Sequence, residues 1–208
     1  MRLIKVFGLV AISAIAAMAF IGVSSAIAGN TAICKTNEGG ALTCAEANQW
    51  KKIHAVANDP VILSAGGNVL CTSSLLEFTL LGLGAPQTGH VNSLTWNECV
   101  YKEALKCTVT TIALGTLLFL KTAVNLGVSQ FHNMKLLIEC GIFSPFVDCI
   151  YEGLPSFHLL GAESFGDGPE NGGIRGIESG LSSPLDACPP EIVLDLFWGA
   201  LEPVYIKS

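Results

Sequence analysis

Residues 107–124 read CTVTTIALGTLLFLKTAV, and this stretch decides the fold class of the chain. Its first half is rich in β-branched side chains, which fit the pleated surface of a sheet better than a helix. Gly115 divides the stretch and predicts a turn, after which residues 116–124 return as the partner strand. The apolar run 107–120 is shorter than the ~17–25 residues of a membrane-spanning helix. The stretch therefore predicts a buried pair of strands.

Other short apolar runs are bounded by Gly, Pro, Asn and Ser, which is typical of a meander of strands. In the stretch 91–96 the large apolar groups alternate, so we expect Leu94 and Trp96 to face the core. Residues 141–146 are predicted to be a hairpin connection. The expected strands are residues 60–65, 68–72, 75–83, 91–96, 134–140 and 147–151.

Two stretches are open to a second interpretation. Residues 45–56 (AEANQWKKIHAV) favour a short helix through their Ala, Glu and Lys residues. Residues 191–201 (EIVLDLFWGAL) follow two prolines and fit either the start of a helix or a buried strand. The predicted fold is therefore mainly β, a disulfide-stapled antiparallel sandwich or barrel-like domain with one or two short helices.

The N-terminus has the pattern of a signal peptide. Arg2 and Lys5 precede an uncharged apolar run, and Ala26 and Ala28 fit the A-x-A pattern of signal peptidase. We expect residues 1–28 to be cleaved before Gly29, with an uncleaved membrane anchor as the alternative, because the run approaches the length of a spanning helix. Residues 29–208 then form a single β-rich mature domain that is secreted, either extracellular or associated with the cell envelope.

Composition limits the classes of partner. The chain carries 17 acidic against 11 basic residues, a net charge of −6, which excludes the basic clusters of a nucleic-acid binder. Half of the residues are hydrophobic and the mean hydropathy is +0.54, which excludes a disordered chain. We expect no stable membrane span after signal cleavage and an extracellular or cell-surface partner of unknown kind.

All 8 cysteines lie beyond the signal peptide, and an exported chain is expected to bond them as disulfides. Hairpins bring neighbouring strand ends together, and the remaining two cysteines form a long-range bridge, so the predicted pairs are Cys34–Cys44, Cys99–Cys107, Cys140–Cys149 and Cys71–Cys188. The alternative set contains Cys71–Cys99 and Cys107–Cys188. No Cys-x-x-Cys or His-x-x-x-His spacing occurs, and we expect neither a metal nor a cofactor.

Candidate catalytic residues do not converge. Residues 162–166 (AESFG) have the outline of a nucleophile elbow, but a glycine-rich acidic loop follows where a helix is required. Asp167, Glu170 and Glu178 in that loop lack the spacing of an EF-hand calcium site. No pair of carboxylates is selected for glycoside hydrolysis. The histidines stand singly along the chain: His54, His90, His132 and His158. We therefore expect no catalytic residues.

The cysteine-bearing motifs carry a resemblance. They occur in a fixed order and read GNVLC (67–71), GHVNSLTWNEC (89–99), CTVT (107–110), CP (188–189) and PVYI (203–206). In this order they resemble a group of secreted, cysteine-containing proteins of soil actinobacteria with a β-rich mature part. The resemblance implies export and a disulfide-bonded β fold in a bacterial protein. That group has no assigned activity, so the resemblance carries over no catalytic residue.

The sequence thus predicts a secreted, disulfide-stabilised binding or structural module of unknown ligand. The first alternative is a carrier of an apolar small molecule, since the apolar runs 78–83 and 114–120 could enclose a cavity lined by Trp96 or Trp198. The second alternative is an extracellular hydrolase. An exposed apolar patch supports the binding module, an enclosed apolar cavity the carrier, and a Ser–His or paired-carboxylate cleft the hydrolase.

Overall fold

The computed structural model describes residues 31–37, 44–82, 86–102, 104–123, 125–162, 171–176 and 180–207. The signal peptide predicted at residues 1–28 lies outside the described residues. Within them the chain is mainly β, as predicted. It forms a 3-10 turn, η1 (Glu46–Asn48), and the strands β1 (Ala32–Cys34), β2 (Lys52–Asn58), β3 (Val61–Ser64), β4 (Val69–Leu70), β5 (Ser73–Leu80), β6 (Gln87–Asn97), β7 (Cys99–Tyr101), β8 (Leu105–Ala113), β9 (Thr116–Ala123), β10 (Leu126–His132), β11 (Met134–Glu139), β12 (Cys149–Gly153), β13 (Ser156–Leu160), β14 (Gly173–Gly176), β15 (Gly180–Ser182), β16 (Glu191–Ala200) and β17 (Tyr205–Lys207).

From β2 to β15, each even-numbered strand runs on into the next odd-numbered strand after a short break, so the two act as one long strand. For example, β2–β3 and β4–β5 pair in a single register, with Asn58 opposite Ser73 and Ile62 opposite Val69. A single left-handed residue is typical of a β-bulge, which bends a strand without reversing it. Such residues lie at several of these breaks: Asp59, Glu98, Gly115 and Asn133.

The long strands form an antiparallel meander that closes on itself. The strand order in the sheet is β14-β13-β10-β9-β6-β5-β2-β16-β15-β12-β11-β8-β7-β4-β3, with additional pairings of β16 to β14 and to β3. On one side of β16, Trp198 lies opposite Ile174, and on the other, Gly199 lies opposite Val56. The first and last long strands therefore meet across β16, and the predicted antiparallel, barrel-like arrangement is confirmed. We call β2–β16 the closed sheet.

The hairpin predicted within residues 107–124 is wrong. β8 pairs with β7 and β11, and β9 pairs with β6 and β10, so the two strands do not pair with each other. Gly115 has φ 66°, and a Cβ at this position would collide with the carbonyl oxygen of His132 on the neighbouring strand. A hairpin reversal requires a loop of about two or more residues. One glycine therefore bends a single long strand here.

The helix predicted over residues 45–56 is also wrong. Only η1 is helical, and β2 follows it. Ile53, Ala55 and Ala57 are buried while His54 is exposed, and this alternation lets the whole of β2 pair with β5. Pairing and burial override helix propensity, which is a weak preference. No helix among the described residues is long and apolar enough to cross a membrane.

Alternating residues of the long strands fill the interior. Leu94 and Trp96 are buried, as predicted for β6. Val91 is buried as well, although it lies an odd number of residues from Leu94, because the β5–β6 register shifts between Glu77 and Phe78 and leaves an extra residue on β6. Ring centroids lie 5.4–6.0 Å apart in the central aromatic group, which consists of Phe131, Phe157 and Trp198.

The disulfides differ from the predicted set. Cys34–Cys44 agrees with the prediction. The pairs Cys99–Cys107, Cys140–Cys149 and Cys71–Cys188 are wrong, and so is Cys107–Cys188 of the alternative set. The structure instead has Cys71–Cys99, which belonged to the alternative set, together with Cys107–Cys140 and Cys149–Cys188.

The reason is a row of cysteines across neighbouring strands. Cys99 does lie opposite Cys107, as the hairpin argument requires. Each of them also has a cysteine on its other side, since Cys71 follows β4 and Cys140 follows β11. The Cα atoms of Cys71–Cys99 and Cys107–Cys140 are 3.9 and 4.1 Å apart, close to the ~4.5 Å of directly opposite residues. A strand inside a sheet has two neighbours, so distance along the chain does not determine which one is bonded.

The two ends of the closed sheet are built differently. At one end, three disulfides join the strands and loops around the turns after β3, β7, β11 and β15, and we call it the clasped end. At the other end β1 pairs with β17, with Ile33 opposite Ile206. Both isoleucines and Val204 are buried in the core, so this pair of strands covers the sheet opening. We call this the capped end.

Candidate functional site: an apolar loop at the clasped end

The loop of residues 140–148, between β11 and β12, presents the most exposed large apolar side chains of the described residues. Ile142 is 80% exposed and Phe143 is 87% exposed. Single exposed apolar side chains are ordinary on protein surfaces. Two adjacent ones at the tip of a loop form a continuous apolar protrusion, which is the pattern of an interaction site. We call residues 140–148 the apolar loop.

Hydrogen bonds within the loop fix the conformation of its tip. Gly141 has φ 80°, which begins a tight turn that the Ser144 N–H closes by donating to the Gly141 carbonyl at 3.2 Å. The Ser144 hydroxyl donates to the same carbonyl at 3.1 Å and accepts from the Phe146 N–H at 3.0 Å. At the base, the Cys140 N–H donates to the Phe146 carbonyl at 2.8 Å. These four hydrogen bonds tie the tip of the loop to its base.

Phe146 anchors the loop in the core. Its side chain is fully buried, and its ring centroid lies 5.7 Å from that of Tyr101 and 6.4 Å from that of Tyr151. The Tyr101 hydroxyl donates to the Gly66 carbonyl at 2.6 Å, which connects the loop to the turn after β3. Burial raises the pKa of the Tyr151 phenol, so this ring stays neutral beside Phe146. The loop thus has a buried aromatic base and an exposed apolar tip.

Two disulfides hold the ends of the loop. Cys140 bonds to Cys107 on β8, and Cys149 bonds to Cys188 in the loop between β15 and β16. Exposed apolar side chains also lie near the second bridge, with Val147 two residues before Cys149 and Leu185 three residues before Cys188. The bridge therefore places further apolar surface beside the tip.

Acidic and basic side chains lie near different parts of the apolar loop. Asp148 directly precedes Cys149, and Asp186 lies between Leu185 and Cys188, two residues before the cysteine; both aspartates are exposed. Exposed Lys106 precedes Cys107, on the opposite side of the loop. The rim beside Val147 and Leu185 is consequently acidic.

The histidines considered as catalytic candidates do not form a catalytic set in the described residues. His54 Nδ1 lies 3.2 Å from Glu77 Oε2, and His132 Nε2 lies 3.0 Å from Gln130 Oε1. His90 and His158 are exposed on the outer face of their strands. Among the described residues no group of three His, Cys, Asp or Glu side chains is arranged to hold a metal ion.

The tryptophans considered for a carrier cavity pack in the core. The rings of Trp96 and Trp198 are 6.2 Å apart edge to face, and Phe78 stacks on Phe119 at 5.2 Å. The cavity between Phe78 and Trp198 has a volume of about 10 Å³. That space is about the minimum for one water molecule. The apolar run 78–83 is described as far as residue 82, and its first three residues belong to β5. Most of the run 114–120 belongs to β9. Both strands are part of the closed sheet.

Of the other sequence candidates, most fall on residues outside the described ranges. In the elbow-like segment 162–166 only Ala162 is described, and it is buried at the capped end, where its N–H donates to the Val204 carbonyl. Asp167, Glu170 and Glu178 lie outside the described residues. For these three residues, the absence of EF-hand spacing stays a statement about the sequence alone.

The sequence predicted the hairpin connection of residues 141–146 but not its exposed apolar tip. One signal was available, because Ile142 and Phe143 stand between Gly141 and Ser144-Pro145, where a turn is normally polar. Their exposure depends on the turn that Ser144 closes and on the buried base at Phe146. Neither can be deduced from the order of the residues alone.

Fold and site together define a disulfide-bonded, closed antiparallel β domain with an apolar loop whose base is buried and whose tip is exposed. Comparison of the chain with protein-family models, with curated proteins and with solved structures found no match. The resemblance to secreted proteins of actinobacteria therefore stays a prediction. Four disulfides fit an oxidising, extracellular setting.

Proposed function

We propose that this chain is a secreted binding module that docks onto a protein partner through the apolar loop. The observation that carries the proposal is the exposure of Ile142 and Phe143 at the tip of a loop whose base is buried and disulfide-bonded. Exposing two large apolar side chains costs free energy that binding recovers. The fixed conformation of the tip lowers the entropy lost on binding.

The chemistry of the partner follows from the shape and charge of the loop. A protruding aromatic–aliphatic pair fits an apolar pocket, and such buried anchors carry much of the binding energy of protein interfaces. The acidic rim at Asp148 and Asp186 favours basic side chains around that pocket. A bilayer surface is the less favoured partner, since lipid head groups are commonly anionic and repel an acidic rim.

The test compares three proteins that differ only in exposed side chains. Phe143→Ser removes the tip, Leu81→Ser changes an exposed leucine (60% exposed) at the capped end, and the wild-type chain is the reference. Each is immobilised and offered the secreted and envelope proteins of the producing organism, and bound proteins are identified by mass spectrometry. We expect one or a few proteins that bind wild type and Leu81→Ser equally and Phe143→Ser at least tenfold less.

Two results would overturn the proposal. In one, Phe143→Ser retains every protein that wild type binds, which removes the loop from the interface. In the other, wild type floats with phosphatidylcholine vesicles and Phe143→Ser does not, which makes the loop a lipid anchor. Unchanged circular dichroism of both variants serves as the folding control, because both positions are exposed.

A further inference from the structure

A cleft opens at the capped end, on the side of the closed sheet away from the apolar loop. Its volume is about 250 Å³, and it lies between the start of β2 and the segment that joins β16 to β17. The lining combines the rings and aliphatic groups of Trp50, Ile53, Leu201 and Val204 with the polar groups of Lys52, His54 and Glu202. Clefts that bury drug-sized ligands measure about 300–1,000 Å³, so this one has room for a single ring.

The polar side of the cleft is organised by Glu77. Its carboxylate accepts from Lys52 Nζ at 2.9 Å through one oxygen, and its other oxygen lies 3.2 Å from His54 Nδ1. The hydrogen bond from Lys52 is the main cause that lowers the pKa of Glu77, so this carboxylate stays ionised at neutral pH. Lys52 therefore supplies donors, the exposed Glu202 supplies acceptors, and the His54 ring adds a polar nitrogen to the lining.

On the apolar side of the cleft, a hydrogen bond and core packing hold Trp50 in position. Trp50 Nε1–H donates to the Pro203 carbonyl at 3.0 Å, which holds the indole plane against the β16–β17 segment. The ammonium group of Lys35 lies 5.3 Å from the centroid of the same ring. Trp50 is half-buried and packs against the core, so its position does not depend on a ligand.

The charges around the cleft balance. Lys35 and Lys52 are positive, and Glu77 and Glu202 are negative. Neither an anion nor a cation gains a net attraction from this set. A ligand that matches it is uncharged, carries donors and acceptors on its edge, and has an apolar face for the indole ring.

We infer that the cleft binds a single neutral sugar ring, a hexose or N-acetylhexosamine, with one face against the apolar lining of Trp50, Ile53 and Leu201 and its hydroxyl groups on Lys52, His54 and Glu202. Hydroxyl groups both donate and accept, so they can satisfy the ammonium, imidazole and carboxylate groups together. The inference does not depend on the proposed function, because the cleft and the apolar loop lie at opposite ends of the closed sheet.

The test is a titration of the ¹⁵N-labelled protein with glucose, galactose, mannose and N-acetylglucosamine, each added separately. The chain has three tryptophans, and the indole signal of Trp50 is identified by its loss in Trp50→Phe. For at least one sugar we expect a saturable shift of this signal, with a Kd on the order of 1 mM. Glu202→Gln should weaken binding about tenfold, since it removes a charged acceptor. Glu139→Gln, an exposed position at the end of β11, is the matched control and should leave Kd unchanged.

Three outcomes would overturn the inference. The first is that none of the four sugars gives a saturable shift at concentrations up to about 50 mM, well above the expected Kd. The second is a shift that Glu202→Gln leaves unchanged, which places the sugar elsewhere. The third is that choline binds at Trp50 and the sugars do not, which makes the cleft a cation site.

Discussion

The clasped end and the capped end close the same sheet by different means. At the clasped end, disulfides join strands and loops whose backbones already lie side by side. At the capped end, β1 and β17 cover the opening through hydrogen bonds and buried apolar side chains, and the one bridge there, Cys34–Cys44, is local. The difference indicates that covalent restraint is concentrated around the apolar loop, while buried side chains and hydrogen bonds cover the core at the other end.

The largest expected effect is the difference in stability between a variant at the base of the apolar loop and a variant at its tip. Phe146→Ala should destabilise the protein by about 3–5 kcal/mol, because it leaves a cavity between Tyr101 and Tyr151. Phe143→Ala removes an exposed ring and should change the free energy of unfolding by less than about 0.5 kcal/mol. Urea denaturation of both variants measures the contrast. Equal losses would show that the tip is packed rather than exposed.

The second prediction compares the bridges of the two ends. Chain entropy predicts that removing Cys149–Cys188, with a separation of 39 residues, costs about 4 kcal/mol, and that removing Cys34–Cys44, with a separation of 10, costs about 3 kcal/mol. Both cysteines of a pair are changed to alanine, and thermal unfolding of the two double variants is compared. A larger loss for the Cys34–Cys44 variant would contradict the greater covalent restraint of the clasped end.

The third prediction concerns the non-covalent cover of the capped end. Ile206→Ala should cost about 2 kcal/mol, at the low end for buried isoleucine, because β17 lies at the edge of the structure. Amide hydrogen exchange should become faster in β1 and β17 and stay unchanged in β11 and β12. Equal acceleration at both ends would mean that the cover and the closed sheet unfold as one unit.

The smallest expected effect is a pH dependence at the capped end. The pKa of Glu77 is lowered in the folded protein, chiefly by its hydrogen bond from Lys52. A lowered pKa contributes stability above the unfolded value of about 4.3, and this stability is lost as the pH falls through the folded value. The Tm of wild type should therefore be higher than that of Glu77→Gln at neutral pH, and the two Tm values should become equal in acid. Lys52→Gln should remove most of the difference, and a gap that persists in acid would exclude the ionisation of Glu77 as its cause.

Much of the strand pattern was predictable because alternation and turn residues are local signals. Leu94 and Trp96 face the core as their alternation predicts, and β11 and β12 form the expected hairpin. The bend at Gly115 was mistaken for a turn because one glycine signals both, and only the neighbouring strand at His132 distinguishes them. Pairing of Cys99 depended on which neighbouring strand supplies the partner, and the order of the residues does not contain that information.

The disulfide pairing at the clasped end is the central feature of the structure, and tryptic digestion without reduction tests it directly. Cleavage after lysine and arginine leaves Cys71 and Cys99 in one peptide, residues 53–102, and separates the peptides 107–121, 136–175 and 176–207. The structure predicts that peptide 53–102 runs alone in mass spectrometry, with an internal bridge, while the other three are linked together. If peptide 136–175 instead runs alone and 53–102 is linked to 107–121 and 176–207, the clasped end is built from the pairs Cys99–Cys107, Cys140–Cys149 and Cys71–Cys188, and the account is contradicted.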